Sequence, residues 1–135
     1  MEQNNGVIVG NWFYDQEQWY PLSHADGEIG KRFAFTGEGL TCALNVIKKE
    51  AADLQKIPEH KHYHEQFLII LEGEGEVLVD GKRYPASAGT YFVIPPDVPH
   101  NFEIAKGKGD VLNLDVFCPS RKEYMKEEFL KKSKR

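Results

Sequence analysis

The stretch HKHYHEQFLIILEGEGEV, residues 60–77, holds three of the chain's five histidines within five positions, immediately ahead of an apolar run and a Gly-rich turn. A run such as QFLIILEG, bounded by polar residues and glycines, reads as a buried strand. On an extended chain residues i and i+2 share a face with Cα atoms about 6–7 Å apart. His60 and His62 are therefore expected to aim their imidazoles at one point, and imidazole nitrogens bind borderline divalent metals well.

Outward from this stretch the pattern is short strands and turns. KRFAFTGEGLTCALNVIK (31–48) reads as two strands joined at TGEG, with glycines supplying positive φ in the turn. AADLQKIPEH is a polar connection, and Pro58 argues against a central strand there. EVLVDGKRYPA (76–86) turns at Asp80-Gly81 between Val77, Val79 and Tyr84, a strong hairpin signal. GTYFVIPPDVPHNFEI gives a strand, a Pro-rich corner and a strand, and DVLNLDVFCP a final strand that alternates partly. SRKEYMKEEFLKK predicts a terminal helix over about 120–133, with Ser120 and Glu123 as a capping box. Many short strands with closely spaced turns predict an all-β sandwich or barrel.

Composition agrees with one folded domain over 1–135: 135 residues, 41% hydrophobic and 12% aromatic. A net charge of −4 gives no basic field for nucleic acid, and KKSKR at the end reads as a solvated tail. No apolar run approaches membrane-spanning length. The N-terminus lacks the basic start and apolar core of a signal peptide. Cys42 and Cys118, far apart and in no CxxC pattern, read as reduced, buried thiols of a cytoplasmic protein. Gly6 to Tyr14, GVIVGNWFY, is unusually apolar for a free terminus. It is expected to pair with a sheet edge and support a homodimer. His24, in polar sequence with no partner, is expected at the surface.

From His60 the order is H-x-H-x-x-x-Q, with Gly73 closing the first part; Gly89, Pro95, Asp97 and His100 follow. This resembles the two-part motif of the cupin superfamily over most of residues 31–125. The resemblance implies a double-stranded β-helix, a jelly-roll barrel over about 31–119, between an N-terminal arm (1–30) and a short C-terminal helix. It implies one divalent transition metal (Fe, Mn, Ni, Co or Zn) held by His60, His62, Gln66 and His100. Four positions depart from the family pattern. Gln66 stands for a usual Glu, Leu54 and Asp97 for glycines, and Ile104 for an Asn. A carboxamide brings no charge, so four neutral ligands leave the ion's charge uncompensated and raise its Lewis acidity toward an anionic substrate. In the cupin frame His64 falls in the bend before the next strand, beside the ligands.

Within cupins the chain is most similar to the small KdgF-type enzymes of pectin and alginate breakdown, which convert 4,5-unsaturated monouronates to the linear keto form. His60, His62, Gln66, His100 and the closing DVFCPSR carry this resemblance. It implies an isomerase for a small anionic sugar acid or related carboxylate. Asp115 would be its acid/base, Phe117 a pocket wall and Arg121 the carboxylate anchor. Two alternatives use the same ligands: a secondary-metabolite isomerase or a metal-dependent dioxygenase. A third is a cupin that binds a sugar or carboxylate without turnover. On pattern alone, Phe117 in the core, Asp115 paired with a lysine and Arg121 solvated is the ordinary reading.

Overall fold

A computed structural model describes residues 5–24, 27–54 and 57–132. Among the described residues nine strands follow one another: β1 (Tyr20–His24), β2 (Gly27–Thr36), β3 (Thr41–Ile47), β4 (Glu65–Glu72), β5 (Glu74–Val79), β6 (Lys82–Ser87), β7 (Tyr91–Ile94), β8 (His100–Ile104) and β9 (Val111–Cys118). They form two antiparallel sheets, one of six strands in the order β1-β2-β3-β9-β4-β7 and one of three in the order β6-β5-β8. This is the all-β jelly roll expected from the spacing of strands and turns.

The turns follow from local chemistry. Asp80 and Gly81 take φ of 48° and 82°, the paired positive φ values of a two-residue hairpin. The TGEG connection differs from expectation, because its glycines are absent from the positive-φ set. Thr36 Oγ1 accounts for that turn: it lies 2.7 Å from Thr41 Oγ1 and donates to the Gly37 and Leu40 carbonyls. Asp97, which stands where the cupin pattern has a glycine, takes φ of 62°. Its N–H donates to the His62 carbonyl at 2.7 Å, so the left-handed residue ties the corner to the histidine segment.

The sandwich interior divides by composition. Leu68, Ile70, Val77, Ala86 and Ile94 form an apolar cluster, with Phe92, Val98 and Phe102 packed on it. Each fully buried aliphatic there contributes roughly 1.5–3 kcal/mol. Toward β9, β3 and β2 the inward positions become polar. Asp115, Asn113 and Asn45 are all buried. Three strands cannot cover six, and a cavity of about 260 Å³ opens where the larger sheet runs past the smaller one.

The ends depart from the sequence reading. The predicted helix over 120–133 is a 3-10 turn at Lys122–Tyr124 followed by a six-residue helix, α1 (Glu127–Lys132). Ser120 does not cap it: Arg121 holds the N-cap position of the 3-10 turn, without a side-chain cap bond. Phe129 and Met125 instead anchor this segment against Ala34. Gly6 to Tyr14 forms no strand. Asn11 shapes it into a turn, accepting from the Tyr14 and Asp15 N–H groups, and Val9 and Phe13 stay exposed. The edge position belongs to β1, which the sequence reading passed over. His24 closes β1, but its side chain, like Ser133–Arg135 of the basic tail, lies outside the described residues. Cys42 and Cys118 are free thiols as expected, but not buried: Cys118 is exposed and Cys42 half-buried. Among the described residues no helix is long and apolar enough to cross a membrane.

Gly30 shows how tightly the larger sheet is drawn. It pairs with Ile47, and a Cβ built on it would lie 1.8 Å from the Val46 carbonyl oxygen. Gly30→Ala is expected to destabilise the fold by roughly 2 kcal/mol or more, because the obstacle is backbone that cannot step aside. Thermal unfolding should show Tm falling by about 5–10 °C.

Candidate metal centre

The histidine segment is not a strand. His60 makes an isolated bridge with His100, each N–H donating to the other's carbonyl at 2.9 and 2.8 Å. His62 lies in the coil that follows, and Tyr63–His64 form a bend. The expected i, i+2 geometry of a strand therefore does not bring the imidazoles together; the bridge to β8 does. Ring centroids stand 4.5 Å apart for His60 and His100 and 4.9 Å for His62 and His100. One ligand atom from each of His60, His62 and His100 lies within 4.8 Å of the other two, so the three could hold a metal ion.

The hydrogen bonds around these rings decide what the site accepts. His62 Nδ1–H donates to the His64 carbonyl at 3.1 Å, and His100 Nδ1–H to the Val98 carbonyl at 2.8 Å. A neutral imidazole has one N–H, so each Nε2 is a bare lone pair. Both Nε2 atoms face Gln66 Oε1 at 3.0 Å. That atom is the amide oxygen, because Gln66 Nε2 donates to Asp115 Oδ1 at 3.0 Å. Three acceptors thus converge with no hydrogen among them, a donor set that suits a divalent cation. Burial disfavours the charged form of His60 and His100. It lowers the pKa of His60 to about 4, aided by His100 and His62, and it lowers that of His100 as well.

Behind Gln66 runs a chain of polar contacts. Asp115 accepts from Gln66 and Asn113 at Oδ1 and from Asn45 Nδ2 at Oδ2, at 2.9–3.0 Å. Asn45 Oδ1 in turn accepts from Arg32 Nε at 2.7 Å. The strand register aligns Arg32, Asn45 and Asn113 across β2, β3 and β9. Burial raises the pKa of Asp115 to about 6, against the opposing pull of Arg32 and the three amides. A carboxylate therefore stands one hydrogen bond behind Gln66 and the converging His62 and His100 rings.

Phe117 is buried and packs edge-on to both His62 and Tyr124. Tyr124 lies between two guanidinium groups, with Arg32 Cζ 4.1 Å and Arg121 Cζ 4.2 Å from its ring centroid. Arg32, Asp115, Phe117, Tyr124, His60 and Gln66 all line the cavity. Arg121 stands at its margin, over the Phe117 and Tyr124 rings and 3.5 Å from Glu123, where its charge still reaches His60 and His100. His64 is buried in the bend, stacked on Tyr63.

Sequence reasoning passed over Arg32, Asn45, Asn113 and Tyr124. The signal for the two asparagines was present: TCALNVI and VLNLDVF each place an Asn at an inward position of a mostly apolar strand. Arg32 and Tyr124 had no such mark, since their roles depend on register and on where the chain returns after β9.

Comparison with known proteins follows the same lines. The family model described as a cupin domain matches residues 52–117. Over 49 residues the chain is 41% identical to polyketide synthase CurC of Streptomyces cyaneus, which covers 36% of this chain and 32% of that protein. It spans 32% and 53% of the length of the curated relatives it matches. The crystal structure of Fe(II) HppE aligns with a TM-score of 0.69 at 20% identity, over 86% of this chain and 62% of that one. KdgF from Halomonas sp. aligns with a TM-score of 0.66 at 21% identity, over 87% of this chain and 100% of that one. These likenesses speak for the fold.

Replacing His60 and His62 together by Ala should abolish metal binding without unfolding the protein, because the apolar cluster of Leu68, Ile70, Val77, Ala86 and Ile94 contains neither imidazole. Calorimetric titration with Co(II) should show affinity lost by at least about 100-fold, since removing even an outer partner of a ligand costs about 10–100-fold. Circular dichroism should show the β fold retained.

Proposed function

This chain carries a small cupin domain, and from that premise we propose that it is a metal-dependent isomerase that ketonises 4,5-unsaturated uronates or closely related sugar acids. The observation that carries the reading is the meeting, in and around one cavity, of a cation site without an anionic ligand, a buried carboxylate and two guanidinium groups. An acidic substrate is matched to that set of charges. The segment Asp115-Val116-Phe117-Cys118-Pro119-Ser120-Arg121, through which the sequence resembles the KdgF type, supplies two of those groups, the carboxylate and one guanidinium.

A divalent ion (Fe, Mn, Ni, Co or Zn), held by His60, His62, Gln66 and His100, would supply Lewis acidity toward the substrate's oxygens. The remaining work belongs to the chain. Arg121 anchors the carboxylate, and Arg32 presents a second guanidinium from the cavity wall. Ring opening breaks the bond between C1 and the ring oxygen. The anomeric hydroxyl gives up its proton, C1 becomes an aldehyde, and an enol forms at C5. Protonation at C4 then gives the ketone, so one proton leaves oxygen, one arrives at carbon, and no electrons are exchanged. Asp115 is the carrier. Three amides occupy three of a carboxylate's roughly four acceptor positions, which leaves one for the moving proton. Its raised pKa suits a group that must both take and give. Phe117 closes the wall beside His62 and excludes water.

A second reading, a metal-dependent oxygenase, rests on the same converging acceptors, which suit Fe(II) as well as the other divalent ions. Oxygen consumption by the iron-loaded protein separates the two, because ketonisation consumes none. For the isomerase, solvent deuterium should enter at C4 of an unsaturated uronate in D₂O. Arg121→Ala should raise KM by about 10-fold or more with a smaller change in kcat, since a charge-assisted pair is worth roughly 1.5–3 kcal/mol. Asp115→Asn should lower kcat by about 100-fold or more. Unchanged kinetics in both variants would remove these roles, and absence of turnover with any unsaturated uronate would remove the substrate class.

A further inference from the structure

The cavity beside the metal centre has two chemically different ends. One is the polar chain from Gln66 through Asp115 to Asn45 and Arg32. The other is aliphatic, lined by Leu22, Ile29, Ile47, Ala51, Leu54 and Ile104. Strand register produces the change. Residues two apart on a strand share a face about 6–7 Å apart. On β3 the inward position after Asn45 is Ile47, and its cross-strand partner on β9 is Val111, two residues before Asn113. The 3-10 turn Lys49–Asp53 brings Ala51 to the same end. Ile104 is buried, and Leu22, Ile29, Ile47, Ala51 and Leu54 are half-buried around the open space. Asn101 and Glu103 also border the cavity, but both are committed elsewhere. Asn101 Nδ2 donates to the Ile57 carbonyl at 2.9 Å, and Glu103 pairs with Arg83 at 2.8 Å. What this end offers a ligand is hydrocarbon.

We propose that the cavity takes an amphipathic acid, with its carboxylate at the charged end and a short aliphatic group in the lobe formed by Ile47, Ala51 and Ile104. This rests on the reading of the site as one for an acidic substrate, and it narrows that class to acids that carry an apolar substituent. A ligand with hydroxyls on every side would have to desolvate some of them against the aliphatic wall without a partner, which is unfavourable. An alkyl group instead displaces water there and stabilises the complex in proportion to the apolar area it covers. Aliphatic side chains that face open space also forfeit the contacts a filled interior would give them, and a ligand's hydrocarbon restores those contacts. Reach agrees with this assignment. Arg32 is the cross-strand partner of Asn45, so the lobe begins one strand step, about 6–7 Å, beyond a carboxylate held by Arg32. The cavity of about 260 Å³ lies near the lower bound of small-molecule sites, roughly 300 Å³, so the occupant is a short chain.

Calorimetric titration of the Co(II)-loaded full chain with acetate, butanoate, hexanoate and octanoate tests it. Affinity should rise by about 3- to 4-fold for each methylene that enters the lobe, and by at least about 30-fold from acetate to octanoate. Ala51→Phe fills the lobe, and Ile47→Thr puts a hydroxyl in its wall. Each should take away at least about 5-fold of octanoate's advantage over acetate and leave acetate and Co(II) binding as in the wild type. Ala51 sits in a half-buried turn and Thr keeps a β-branched side chain on β3, so both variants should remain folded by circular dichroism. These acids cannot be ketonised, so the series reads the lobe apart from the reaction. Absence of uronate turnover would remove the reaction and leave the lobe standing, and a flat series would do the reverse. Affinity independent of chain length, or an undiminished rise in both folded variants, would overturn the proposal.

Discussion

A carboxamide has a donor end and an acceptor end, and in this protein Asp115 takes the donor end of Gln66. That one hydrogen bond decides which atom faces the histidines. If the amide turned over, its NH₂ would donate to the two Nε2 lone pairs and the site would satisfy itself. Held as it is, the oxygen adds a third acceptor where two already converge, and a cation is the species that resolves the conflict. Asp115 is held in turn by Asn113 and Asn45, and Asn45 by Arg32. The larger sheet therefore carries a buried polar chain from one side of the cavity to the other, where a plain sandwich would carry aliphatics.

That chain explains the distribution of the rest. Burying polar groups stabilises nothing unless each finds a partner, and the strand register supplies partners across β2, β3 and β9. The hydrophobic contribution to folding is concentrated on the other side, where β4 and β7 meet the small sheet through Leu68, Ile70, Ile94 and Val77.

Much of this was legible in the sequence because it is local. Alternation, Asp80-Gly81 and the Pro-rich corner fix strands and turns within a few residues of one another, and the histidine spacing resembled a known metal motif. Three kinds of feature were less accessible. The histidines meet through a backbone bridge between positions forty residues apart, not through strand alternation. The network behind Gln66 depends on register among strands distant in sequence, so Arg32 looked like any surface arginine. The C-terminal segment reads as a good helix, yet Phe129 and Met125 settle against Ala34 and break it after one 3-10 turn. In each case a tertiary contact outweighed a local preference.

The bridge between His60 and His100 also couples two events that the sequence keeps apart. The two amides hold the segments together through reciprocal hydrogen bonds, each donating to the other residue's carbonyl. The left-handed corner at Asp97 fastens the same segment at His62. Segments clipped in this way open as one cooperative unit of local unfolding, with a free energy between that of a fraying loop and that of the whole fold.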